Sequence, residues 1–229
     1  KNTAADLPAV ITLNGTEISH NTASSRGGGI AASGQSRLTF LSGSVHDNRS
    51  SRYGGGVWLR DRSVFAMNGG EILDNHAVYG GGFYNDPGAA LLITGGTFSL
   101  DTADDALHSN GDISISGGTY TIATGDDGIH AGNAVTITDC DLTIADSYEG
   151  IEGLSIDISG GTISVKASDD GLNAAGGADS SGFGGRGGDA FAVTDGACIT
   201  ISGGALTVDA DGDGLDSNGD LRIPGGVTY

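Results

Sequence analysis

The feature that most constrains this chain is a glycine pair that returns at a nearly fixed interval. Gly-Gly begins at 95, 117, 160, 203 and 225, and Asp139-Cys140 stands in its place between the second and third of these. The steps are 22, 22, 21, 43 and 22 residues. Each pair lies between two short β-prone runs. The second run leads into an acidic pair, a Gly-Leu or Gly-Ile step and a polar turn, as in ISISGGTYTIATGDDGIHAGN and IDISGGTISVKASDDGLNAAG. Self-similarity at such a period is the signature of a repeat architecture. The long step contains AAGGADSSGFGGRGGD, residues 174–189, a Gly/Ser-rich insertion expected to leave the stack as a loop.

Residues 10–90 carry a longer relative of the same unit. Asn21, Asn48 and Asn75 are 27 apart, and Ile18, Val45 and Ile72 keep that step. The triplets Gly27-Gly28-Gly29, Gly54-Gly55-Gly56 and Gly80-Gly81-Gly82 come next, each with an apolar residue behind it: Ile30, Val57 and Phe83.

Runs such as Ile-Ser-Ile-Ser and Val-Thr-Ile-Thr alternate with period two, as strands do, and no helical period is present. The fold expected is all-β: a right-handed parallel β-helix of about nine rungs. It is one continuous solenoid, with 27-residue rungs over 1–90 and 22-residue acidic rungs over 91–229. Equivalent side chains then stack in columns about 4.8 Å apart. The apolar columns point inward, and the asparagines form an internal amide ladder that satisfies turn backbone. Leucine-rich and helical repeats are excluded because they need helical segments. Collagen is excluded because the 43 glycines have no three-residue period and there are only 3 prolines.

The net charge of −19 is unevenly spread. Residues 1–90 hold 7 acids and 7 bases, whereas residues 91–229 hold 22 acids against Lys166, Arg186 and Arg222. Such a surface repels nucleic acid and anionic lipid and gathers cations. No apolar stretch is long enough to span a bilayer, so neither nucleic acid nor membrane insertion is expected.

Aligned by rung, Asp105, Asp127, Glu149, Asp170 and Asp213 fall in one column, with Asp104, Asp126 and Asp169 beside them. Three residues after the first column come His108, His130, Glu152, Asn173 and Asp216. Tyr148 replaces an aspartate in the second column and marks a break in metal spacing. A lone Asp-Asp-Gly is ordinary turn chemistry, but stacked carboxylates repel unless something neutralises them. Calcium–oxygen bonds of about 2.3–2.6 Å let one ion touch a carboxylate above and one below. All-oxygen ligation selects calcium over zinc or copper. The two histidines would suit a softer metal, but no cysteine joins them, and other rungs carry Glu, Asn or Asp there.

Trp58 and Tyr84 are equivalent positions on neighbouring rungs, as are Tyr53 and Tyr79 before the glycine triplets. The four are expected either to form an exposed strip that offers flat faces to a sugar, or to be plain ring-on-ring ladder stacking. Lys166, just before Asp169, is the one internal lysine and reads as a surface residue paired with an acid. Cys140 and Cys198 occupy different places in the repeat and are not expected to pair. The chain starts at Lys1 without Met and stops partway through a repeat at IPGGVTY, so it is expected to be a processed or excised piece, or a subunit whose ends stack.

The strings ADDALHSNGDISISGGT, TGDDGIHAG, SYEGIEGL, ASDDGLNAAGG with the adjoining SSGFGG, and DGDGLDSNG resemble the clostridial carbohydrate-binding β-helix family, itself similar to family 9 polysaccharide lyases. That resemblance covers residues 91–229. It implies calcium held at Asp104, Asp105, Asp126, Asp127, Glu149, Glu152, Asp169, Asp170 and Asp213, and a plant cell-wall polysaccharide, cellulose or pectin-like, as partner. The GGGI, GGGV and GGGF triplets of residues 10–90 resemble repeats of chlamydial polymorphic outer-membrane proteins and other bacterial adhesins, which implies a surface role. The expected function is a secreted or cell-surface calcium-binding protein that binds polysaccharide without catalysis. The alternatives are a surface filament of head-to-tail subunits and a polysaccharide lyase.

Overall fold

Alternation along each strand decides which side chains face in. In Thr97–Thr102 every second residue is buried, and Thr119–Thr124 repeats the pattern one turn later. A computed structural model describes residues 9–174 and 193–229 of the chain. The expected insertion at 174–189 therefore lies, apart from Ala174, outside the described residues.

The chain forms a parallel β-helix of about eight turns with three faces. The first face runs from Val10–Leu13 through Arg37–Phe40, Val64–Met67, Ala90–Ile93 and Ile113–Ile115 to Cys198–Ile201 and Asp220–Arg222. The second is a nine-stranded sheet from Thr16–Ser19 to Val227–Thr228. The third stacks Ile30–Ala32, Val57–Leu59, Phe83–Asn85, Leu107–Ser109, the starts of Ile129–Ile137 and Ile151–Ile158, Leu172–Ala174 and Leu215–Ser217. Those two long strands bend from the third face into the first and join them into one 15-stranded sheet.

The inward columns are those the repeats predict. Phe83, Leu107, Ile129, Ile151, Leu172 and Leu215 are partners in register. All but Leu215 are at most 1% exposed. Burying such side chains contributes about 1.5–3 kcal/mol each. A diagonal of rings crosses the core: Phe40, Phe65, Phe83, Phe98 and Tyr120, with neighbouring centroids 4.4–6.4 Å apart.

The asparagine column is an internal ladder, as expected. Asn75 Oδ1 accepts from the backbone N–H and the Nδ2 of Asn48, both at 3.0 Å. Asn48 Oδ1 does the same for Asn21. Asn48 and Asn75 also donate Nδ2 to the carbonyls of Ile18 and Val45, at 2.8 Å each.

Just after this ladder the 27-residue rungs carry an extra short strand, Thr22–Ala23 paired with Arg49–Ser50. It crowds the corner before the third face. A Cβ on Gly55 would lie 2.6 Å from the backbone of His76 and 2.5 Å from the carbonyl of Gly81. Gly28, Gly55 and Gly81 are thus held to glycine by space. In the 22-residue rungs the extra strand is gone, and the same position, two before the inward residue, becomes Asp105, Asp127, Glu149, Asp170 and Asp213. The shortened corner is what makes room for a column of carboxylates. Gly55→Ala is expected to cost about 1–2 kcal/mol through backbone displacement, read as a lower denaturation midpoint at unchanged slope. Both cysteines are free.

Candidate functional site on the third face

Inward residues on the third face alternate with one outward column. In register it runs Ala31, Trp58, Tyr84, His108, His130, Glu152, Asn173 and Asp216. Aromatic residues therefore pass directly into histidines and then into acids along a single line parallel to the coil axis.

The aromatic end is a stack. Tyr53 and Tyr79 lie 5.3 Å apart at 23°, and Tyr53 meets Tyr84 at 4.7 Å. Tyr84 then lies flat on His108 at 4.5 Å and 5°, and His108 on His130 at 4.8 Å and 11°. Arg52 lies over Tyr53 at 5.0 Å, and Arg26 lies over Trp58 at 5.2 Å, both within cation–π range. Trp58 departs from the expected exposed strip: it is 8% exposed. The rings a ligand can reach are Tyr53, Tyr79 and Tyr84.

The acidic end opens with two pairs three residues apart, across Leu107 and Ile129. Asp105 Oδ2 meets His108 Nδ1 at 2.5 Å, and Asp127 Oδ2 meets His130 Nδ1 at 3.0 Å. On the next rungs Asn173 Nδ2 donates to Glu149 Oε1 at 2.9 Å. Three of the carboxylates also grip the backbone of the next rung. Asp105 Oδ1 accepts the N–H of Asp127 at 3.1 Å, Asp127 Oδ1 that of Glu149 at 3.3 Å, and Asp170 Oδ1 that of Asp213 at 2.7 Å. Between acid and inward residue, Gly128, Gly150 and Gly171 lie close to the core, whereas the first rung carries Ala106 there. A Cβ on Gly150 would fall 2.2 Å from Val165 Cγ1.

Asp105, Asp127, Glu149 and Glu152 are buried. Desolvation holds the Asp127 carboxyl well above the usual range, against the opposing contact with His130. For His130, desolvation would lower the pKa, but its contacts with Asp127 and Glu152 outweigh it and push the ring up to about 11. Burial also raises the Asp170 and Asp216 carboxyls.

Two kinds of donor group result. Asp104, Asp105 and Asp126 bring carboxylate oxygens within 4.8 Å of one another. This set contains oxygen alone, spans two rungs and fits a hard cation. Asp105 with His108 and His130, and Asp127 with His130 and Glu152, mix oxygen with imidazole nitrogen. Among the described residues, Asp169, Asp170 and Asp213 keep the column but do not close into such a group. Tyr148 interrupts the outer acids above them. Its hydroxyl hydrogen-bonds Asp169, which raises its pKa to about 12. Lys166 is exposed on the second face, in register with Asp209.

Comparison with known proteins bears on the middle of this column. Residues 85–128, which include His108, Asp104, Asp105, Asp126 and Asp127, match a family described as carbohydrate-binding domain-containing protein. No match to lyase family 9 accompanies it. Neither the curated proteins nor the solved structures gave a match.

Proposed function

We propose that this chain is a non-catalytic polysaccharide-binding module of the cell exterior. A glycan lies along the coil axis on the third face, and calcium held between rungs helps to fix it. The observation that carries this reading is the unbroken line from Tyr84 through His108 and His130 to Glu152. Stacked rings give a sugar flat apolar faces. The set Asp104, Asp105 and Asp126 suits calcium by donor type. The family matched at 85–128 supports a carbohydrate partner.

An acidic, pectin-like chain fits better than cellulose. Arg26 and Arg52 border the rings and can pair with uronate carboxylates. A calcium ion on the acidic rungs can bridge protein and sugar carboxylates. The position of Lys166 on another face supports binding without catalysis, because a lyase needs a base beside the metal.

Isothermal titration with oligogalacturonate, in millimolar calcium and again in chelator, tests the reading. Binding is expected with calcium and lost or greatly weakened in chelator. Tyr84→Ala is expected to weaken it about tenfold, or about 1.4 kcal/mol. Equal binding in both buffers, or an unchanged affinity for Tyr84→Ala, contradicts it.

A further inference from the structure

We propose that Asp127, His130 and Glu152 form a second metal site, chemically distinct from the all-oxygen set, that takes a divalent transition ion of the zinc class. The proposal stands on geometry and does not depend on sugar binding.

The three residues come from two adjacent rungs. Asp127 and His130 flank one turn, and Glu152 is the register partner of His130 on the next. All three are buried, at 4%, 6% and 2% exposure, and their donor atoms lie within 4.8 Å of one another. His130 Nδ1 has one position for a proton and two carboxylate oxygens beside it: Asp127 Oδ2 at 3.0 Å and Glu152 Oε2 at 2.6 Å. Its hydrogen bond goes to Asp127. Glu152 Oε2 is therefore buried and close to the ring, yet without a hydrogen-bond partner among the described residues.

A second unsatisfied oxygen lies next along the column. Asn173 is 6% exposed and is the register partner of Glu152. It spends its amide N–H on Glu149, and its Oδ1 has no hydrogen-bond partner among the described residues. Buried polar atoms without partners are rare and call for an explanation. A cation drawing on Glu152, with Asn173 beside it, supplies one.

Donor type selects the ion. Imidazole suits zinc and its neighbours, and four ligands at about 2.0–2.2 Å complete a zinc site. Calcium prefers six to eight oxygens, which a buried group with an imidazole at its centre does not offer. Without metal, a protonated His130 bridging two acids would occupy the same space, and the test separates the two cases.

The full chain is stripped with chelator and titrated with zinc chloride in the presence of millimolar calcium chloride, which keeps the all-oxygen set filled. One zinc ion is expected to bind per chain and to resist a hundredfold excess of calcium. His130→Asn and Glu152→Gln are expected to weaken that zinc roughly 100-fold or more, with circular dichroism confirming the fold. Should either variant fail to fold, cobalt chloride added to the unaltered chain decides. Visible absorption bands of a low-coordinate nitrogen–oxygen site are expected. Zinc that calcium displaces, zinc uptake unchanged in His130→Asn, or no cobalt bands would overturn the proposal and leave His130 as an imidazolium bridge.

Discussion

Asn75→Ala is expected to destabilise the solenoid by about 4 kcal/mol. Each buried donor or acceptor left without a partner costs about 1–3 kcal/mol. The substitution removes three hydrogen bonds at once: those donated by the backbone N–H and the amide of Asn48, whose amide keeps its bond to Ile18, and the one accepted by the carbonyl of Val45. Asn75 is fully buried, so water cannot replace what is lost. Asn21→Ala provides the internal control. Asn21 lies exposed at the first rung of the ladder, and its loss should cost less than about 1 kcal/mol. Urea denaturation of both variants measures the difference. Similar midpoints for the two would mean that the ladder contributes nothing beyond its rungs.

Calcium is expected to raise the melting temperature by about 5–10 °C for each site filled a hundredfold above its dissociation constant. The figure combines about 2.7 kcal/mol of mass-action stabilisation with about 2–4 °C per kcal/mol for a chain of this size. The effect should depend on pH. Burial raises the folded pKa of Asp127, Asp170 and Asp216 above the unfolded value. Groups shifted upward bind protons more tightly when folded. Their contribution is present below the unfolded pKa and is lost as pH rises through the folded one. The metal-free chain should therefore lose stability as pH climbs out of the carboxylate range. His130, held at about 11, contributes in the same sense: its share is full below the ordinary imidazole pKa of about 6.5, declines above it, and is gone once pH has passed the folded value. Calcium binds the ionised carboxylates, so its stabilisation should grow over the interval in which the metal-free chain weakens. Melting curves at several pH values, with calcium and with chelator, should diverge as pH rises. Parallel curves would contradict this.

Much of this architecture is legible in the residues themselves. A single period places Asn21, Asn48 and Asn75 in one column, and Leu107, Ile129, Ile151 and Leu172 in another, because every rung must bury the same positions. The acidic column is legible for the same reason. What a fixed period does not reveal is that the aromatic strip and the histidine–acid column are one line. Trp58, Tyr84, His108 and His130 are separated by 26, 24 and 22 residues, since the corner shortens as the extra strand is lost. Strand register alone connects them. Nor does spacing show that Trp58 is covered by Arg26, which reaches it from the neighbouring rung, where the smaller Ala31 holds the equivalent position. The role of His130 is hidden as well. By residue type it is one variant among Glu, Asn and Asp at that position, and only the fold places it between two buried carboxylates.

The stacked acids occupy a corner shortened by five residues, 27 to 22, and the proposed function gives that stacking a purpose through a shared divalent ion. A crystal grown in calcium and measured for anomalous scattering tests this directly. A peak is predicted among Asp104, Asp105 and Asp126, with carboxylate oxygens from both rungs at about 2.3–2.6 Å. Water alone at that position in millimolar calcium, or side chains turned away from one another, would contradict it.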